Sequence, residues 1–101
     1  MKALAQGELL WTPSETVIEN TNLTAYMRWL AAERGLDFTD YDALWAWSVA
    51  EVEAFWESLW DYFDLTYSQR WQTPLAARTM PGAEWFPGAR LNYAENILAQ
   101  R

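Results

Sequence analysis

The stretch that most constrains the fold is an amphipathic segment in the middle of the chain, residues 49–63. At 100° per residue its large apolar side chains fill one arc of about 160°, and the other positions are acidic, serine or alanine. Ser48 directly precedes the segment, and Glu51 follows three residues later, which is the spacing of a capping box. We therefore predict a helix from about Val49 to Phe63, capped by Ser48, that buries an aromatic face. The apolar positions are Val49, Val52, Phe55, Trp56, Leu59, Trp60, Tyr62 and Phe63.

Three further helix starts precede this segment. Thr12 stands before a proline at a first helical position, which predicts a short helix over residues 13–20 with Thr12 as its N-cap. Thr21 begins a second helix of about twelve residues, which Gly35 ends in the left-handed conformation. Asp40 is the predicted N-cap of a third helix.

The C-terminal third has a different pattern. Residues 66–73 are rich in strand-favouring types and predict no more than one strand or extended segment. Residues 74–90 contain two Pro-Gly pairs, which favour turns, and we expect mostly loop there. Asn92 is the predicted cap of a last helix over residues 93–100.

The chain of 101 residues is therefore expected to be mainly α. The fold class is a small helical domain of four to five helices with a coil-rich C-terminal arm and at most one short strand. We expect a single domain over residues 1–101. Residues 9–73 form its helical body, and residues 74–101 form the arm.

The distribution of charge limits the classes of partner. The net charge is −7, and residues 35–69 hold eight carboxylates without one lysine or arginine. Phosphate backbones and anionic membrane surfaces attract basic residues, so neither nucleic acid nor membrane is expected as a partner. The chain has no cysteine, no signal-peptide pattern and no apolar run of membrane-spanning length. Cytoplasmic localisation follows as an expectation.

No constellation of residues predicts chemistry. The sequence has no histidine and no cysteine, which removes the usual proton shuttle and thiol nucleophile. Asp37, Asp40 and Asp42 are spaced somewhat like calcium ligands, but the glycine that such a loop needs is absent. The four glycines match no phosphate-binding motif. We predict no catalytic residue, no cofactor-binding residue and no metal ligand.

Eight tryptophans are too many for so small a core. Helical spacing favours the core for Trp56 and Trp60, and Trp29 is also expected there. The surplus, which includes Trp47, Trp71 and Trp85, is expected to face another domain or subunit. A carbohydrate-binding module is a further hypothesis, which would require coplanar, exposed tryptophan rings.

Three segments carry a resemblance to a known family. Residues 85–96 read Trp-Phe-Pro-Gly-Ala-Arg-Leu-Asn-Tyr-Ala-Glu-Asn, and residues 22–30 and 40–49 add two helical segments in the same order. Together they resemble the N-terminal region of acetoacetyl-CoA synthetases, which are adenylate-forming acyl-CoA synthetases. The resemblance spans about residues 10–100. It implies a helical region that packs on a large adenylating domain of the same parent chain.

The resemblance also implies a function. We expect a non-catalytic docking domain of a longer synthetase, with ATP, magnesium and CoA bound only by the parent enzyme. The expected interdomain docking residues are Trp85, Phe86, Arg90, Leu91 and Asn92. Self-association through exposed aromatic side chains is a further expected contact. For Arg90 an interface ion pair and an ordinary solvated side chain remain open, and for the whole chain a stand-alone helical protein-interaction module is the alternative.

Overall fold

The computed structural model describes residues 3–99, and the chain divides after Asp37 into two compact units. The described residues form five helices and one two-stranded sheet, so the predicted mainly α class is confirmed. The prediction of a single domain stays a prediction. In chain order the elements are α1 (Glu15–Glu19), α2 (Asn22–Arg34), α3 (Tyr41–Ala50), α4 (Val52–Tyr62), β1 (Leu75–Ala77), β2 (Glu84–Trp85) and α5 (Tyr93–Leu98).

The first unit contains α1 and α2, and each begins at a hydroxyl cap. The Oγ of Ser14 accepts the N–H of Val17, so Ser14 caps α1 and the predicted cap, Thr12, is wrong. A hydroxyl satisfies a free amide three residues later, and Ser14 is the residue in reach. Thr21 caps α2 as predicted.

The α2 helix ends as the sequence indicates and supplies the buried residues of the first unit. Gly35 has φ 66°, the left-handed conformation that glycine adopts with least strain. Leu30 has no exposed surface and Tyr26 retains only 5%. The guanidinium of Arg34 lies over the Trp29 ring at 5.2 Å from its centroid.

The second unit is built on α3 and α4, and the boundary between these two helices differs from the predicted one. The expected helix over residues 49–63 is interrupted at Glu51, where φ is −114° and ψ is 60°. Ser48 lies inside α3, and its hydroxyl donates to the Trp45 carbonyl at 2.7 Å. Serine inside a helix commonly bonds back to the preceding turn in this way. The predicted capping box is therefore wrong, and α4 begins at Val52.

A small core lies between these helices and the arm. Leu44, Trp60 and Leu75 each retain 6% exposure or less. Ser58 is also buried, and its hydroxyl donates to the Phe55 carbonyl. One residue from α3, two from α4 and one from β1 thus close this core, so the arm is part of the folded unit.

The sheet lies where the sequence predicts mostly loop. β1 and β2 pair antiparallel, with Leu75 opposite Trp85 and a register irregularity before Ala77. The predicted extended segment, residues 66–73, instead makes a single isolated bridge from Gln69 to Arg90. The Pro81-Gly82 turn decides this outcome, because it lies between the two strands and brings residues 84–85 back to residues 75–77. Within the described part of the chain, no helix combines the length and apolar character needed to cross a bilayer.

Candidate docking surface

Phe86 connects the arm to α4. Its backbone has φ 47°, and its N–H donates to the Pro74 carbonyl at 2.9 Å. A positive φ at a bulky residue is strained and persists only where the surroundings hold it. Here the ring lies 5.1 Å from that of Trp60 and 6.1 Å from that of Trp71, between centroids. Phe86 is one of the expected docking residues, but its side chain is half-buried against the aromatic rings of the second unit.

Trp85 remains on the surface, as predicted. It is 44% exposed and meets the edge of Trp56 at a centroid distance of 5.7 Å. Trp56 is itself 42% exposed, so its predicted place in the core is wrong. The helical spacing put Trp56 on the apolar face of α4, but the contact with Trp85 leaves much of its ring open to solvent. The two indoles form one exposed aromatic edge.

An open apolar groove starts at this edge. One cavity of about 520 Å³ runs between α4 and the arm, and a second of about 490 Å³ runs between α4 and α5. The two share Phe63, Leu65 and Leu91, so they lie side by side, and together they are called the apolar groove below. The groove is lined by Trp56, Leu59, Trp60, Phe63, Leu65, Trp85, Phe86, Ala89, Leu91, Tyr93, Asn96 and Ile97.

The remaining predicted docking residues follow the second Pro-Gly turn. The Arg90 N–H donates to the Gln69 carbonyl at 2.9 Å, and the Arg90 carbonyl accepts the Ser68 N–H at 2.8 Å. Leu91 is 47% exposed and lines both parts of the groove. Asn92 accepts the Glu95 N–H at 3.0 Å and so caps α5 as predicted. The structure thus places Leu91 in the groove and gives Asn92 a role within the fold.

Arg90 contributes its backbone to the fold and leaves its side chain exposed. Among residues 3–99 its guanidinium has no ion pair. Its neighbour Arg70 behaves differently, because its guanidinium lies 4.6 Å from the Trp71 centroid and 3.4 Å from an Asp61 carboxylate oxygen. A hydrogen bond to the Tyr67 hydroxyl, and then the Asp61 carboxylate, raise the pKa of Arg70 above its ordinary value. Arg90 is therefore available to a partner, and the two interpretations of it remain open.

Asn96 holds the groove together, although the sequence assigns it no role. Its amide oxygen accepts the Thr66 N–H at 2.8 Å, and its amide nitrogen donates to the Thr66 carbonyl at 3.0 Å. One side chain therefore pairs with both backbone groups of a residue thirty positions away. No periodicity signals such a contact, and the only hint is the position of Asn96 inside the family-like run.

Asn96→Leu is expected to cost about 1–3 kcal/mol of the free energy of unfolding. The substitution leaves the part-buried N–H and C=O of Thr66 without partners, and such orphaned groups carry their desolvation penalty. Urea unfolding of the purified chain measures the change. Asn20→Leu is the control, because the Asn20 amide only donates to an exposed carbonyl four residues earlier. An equal loss of unfolding free energy in the two variants would contradict a stabilising role for the hydrogen bonds between Asn96 and Thr66.

The groove suits burial of apolar surface better than catalysis or phosphate binding. Its polar side chains are few, and the amide of Asn96 is already engaged with Thr66. Within residues 3–99 no cluster of three potential metal ligands occurs. A nucleotide's phosphates would need cationic side chains or free backbone amides, and the groove lining offers no cation.

Comparison with known proteins agrees with the resemblance. The family model described as acetyl-coenzyme A synthetase N-terminus matches residues 41–97, more than half of the chain. The chain belongs to this family. The matched segment spans α3 to α5 and includes the whole groove and all five predicted docking residues.

Individual members of the family extend the match to the first unit. The chain is 35% identical over 89 residues to the acetoacetyl-coenzyme A synthetase of Rhizobium meliloti, covering 88% of this chain and 14% of that protein. It is 33% identical to a malonamoyl-CoA synthetase of Penicillium aethiopicum, covering 90% and 13%. The solved acetoacetyl-CoA synthetase from Streptomyces lividans superposes with a TM-score of 0.79 at 42% identity, covering 84% and 13%. The chain thus spans about a seventh of the length of the relatives it matches.

Proposed function

We propose that this chain is the non-catalytic N-terminal docking domain of an acetoacetyl-CoA synthetase. The parent reaction would join ATP, acetoacetate and CoA to give acetoacetyl-CoA, AMP and pyrophosphate. The observation that carries the proposal is the open apolar groove. Three of its large apolar side chains, Trp56, Trp85 and Leu91, are each more than 40% exposed.

The partner in this proposal is the large adenylating domain of the same parent chain. Large uncovered apolar patches on a small domain mark contact surfaces. The relatives have enough further polypeptide to cover such a patch, because about six-sevenths of their length lies outside the part matched here. The groove and the exposed guanidinium of Arg90 would pack against that domain. Where the rest of the parent is missing, we expect the same groove to pair with a second copy.

The parent's ligands would lie elsewhere. We expect ATP, magnesium and CoA to bind the adenylating part, since the groove lining here fits no phosphate or metal ion. A parent of this kind, together with a chain that uses no cysteine, is consistent with a cytoplasmic enzyme.

The test is acetoacetate-dependent exchange of pyrophosphate into ATP by the full-length protein that contains this chain. We expect exchange with acetoacetate, and no exchange with the 101-residue chain alone. Acetate and malonamate serve as matched alternative acids, because one relative is a malonamoyl-CoA synthetase. Exchange that prefers either of them would overturn the assigned substrate. A native protein of only 11.8 kDa would instead favour the stand-alone interaction module.

A further inference from the structure

A second apolar surface lies on the outer side of α3, on residues outside the groove lining. Tyr41, Trp45 and Val49 are spaced at four-residue intervals, so they follow one another along one side of the helix. They are 59%, 56% and 49% exposed. Ala46 and Ala50 are also exposed, and Asp42 is the only charged residue within α3.

The inner side of α3 is equally apolar. Leu44 is buried in the core, and Trp47 contacts the rings of Phe38 and Phe55 at 5.4 and 5.9 Å between centroids. A helix that is apolar all round is typical of one that is buried on all sides. The second unit covers only one side of α3, so we expect the exposed apolar side to be covered by a further contact.

The charges at the two ends of this face indicate the chemistry of that contact. Asp40 and Asp42 lie at its beginning, and Glu51 and Glu53 follow its end, all exposed and without an ion pair among residues 3–99. The nearby cation, Arg78, donates to the Val49 carbonyl at 3.3 Å. A second copy would bring the same acidic ends against these, and like charges in an interface are unfavourable.

We propose that the outer face of α3 is a second docking surface, covered in the parent synthetase by an apolar patch with lysine or arginine at its margins. This inference rests on the proposed function, because the occupant is the polypeptide that the relatives have beyond the matched region. That polypeptide is tethered to α3 in the same molecule, and tethering raises its effective concentration far above that of a free partner. The exposed carboxylates at both ends of α3 favour lysine or arginine at the margins of the covering patch.

Hydroxyl-radical labelling of the full-length synthetase tests the inference. Labelling of Trp45 in the folded enzyme is compared with labelling of the same enzyme in urea. A covered Trp45 is expected to be protected about tenfold or more, since interface cores are desolvated. Protection of only about twofold, which 56% exposure alone would give, overturns the proposal.

Two other tryptophans of the same enzyme serve as internal references, so that failure of this inference can be distinguished from failure of the proposed function. Trp85 and Trp56, at the edge of the groove, report the first docking surface in the same experiment. Protection there without protection of Trp45 overturns the second surface alone, and protection at neither site overturns both. Protection of Trp45 that grows with protein concentration would assign the face to a second copy and overturn the tethered occupant.

Charge variants test the basic margin of the occupant. In the full-length enzyme, Asp42→Lys with Glu51→Lys is expected to raise Trp45 labelling severalfold, because the reversed charges repel the margin. Asp42→Asn with Glu51→Gln is the matched neutral control and should raise it less. Equal labelling in the two variants overturns the proposed basic margin. Met80→Lys, at a side chain that is 92% exposed, controls for added positive charge.

Discussion

Trp60→Ala is expected to remove about 3–5 kcal/mol from the free energy of unfolding of the 101-residue chain. Trp60 is 5% exposed, and its ring lies within 6.5 Å of those of Tyr67, Trp71 and Phe86, between centroids. Three segments of the second unit therefore meet on one side chain. Its removal opens a cavity that rigid aromatic neighbours cannot fill. Urea unfolding followed by circular dichroism measures the loss.

One feature of Trp60 reduces the expected cost slightly. Its indole N–H is buried without an acceptor among the described residues, so the alanine variant also removes an unsatisfied donor. Trp11→Ala is the matched control, because the same atoms are removed from a side chain that is 72% exposed. It should change stability by less than about 0.5 kcal/mol. A cost for Trp60→Ala no larger than for Trp11→Ala would contradict the central place of Trp60.

Leu91→Asp is expected to leave the stability of the isolated chain nearly unchanged and to destabilise the full-length parent. In the isolated chain Leu91 is 47% exposed, so the carboxylate stays hydrated and stability changes little. In the full-length synthetase the groove would be covered, and an unpaired buried charge costs about 3–5 kcal/mol. We expect thermal unfolding of the full-length variant to begin several degrees earlier, with release of this domain to limited proteolysis.

Met80→Asp controls for the added charge, since Met80 is 92% exposed and lies outside the groove lining. The KM for ATP and acetoacetate should be unchanged in the folded fraction of the Leu91→Asp enzyme, because the groove contributes no substrate contact. A full-length Leu91→Asp enzyme as stable as the Met80→Asp enzyme would show that the groove is not covered.

Helix caps and glycines made most helix boundaries predictable. Thr21, Asp40 and Asn92 each cap the helix that the sequence assigns to them, and Gly35 ends α2. These signals act within three or four residues, so local sequence carries them. Ser48 shows the limit of the same signal, because its hydroxyl could accept the Glu51 N–H as a cap or donate to the preceding turn, and it donates to the Trp45 carbonyl.

Long-range pairing was not predictable in the same way. β1 and β2 are three and two residues long, and the register between them is irregular. Such short strands carry no alternation of their own, and only the reversal of the chain makes them partners. The hydrogen bonds between Asn96 and Thr66 were equally unpredictable from local sequence, because they depend on how the arm folds back toward α4.

The candidate site was predictable in position but not in detail. Members of the run of residues 85–92 line the groove, yet they divide between two positions. Trp85 and Leu91 are exposed along the groove, whereas Phe86 is half-buried against Trp60. Hydrophobicity alone cannot separate these positions. The positive φ of Phe86, which turns the side chain inward, is a property of the folded turn.

The mass of the native gene product, detected in cell extract with an antibody against this domain, tests the proposed docking function most directly. We expect a band several-fold heavier than 11.8 kDa, because in the proposed function a further domain of the same chain covers the groove. A single band at 11.8 kDa would contradict it, and the groove and α3 would then have to be explained by a separate binding partner.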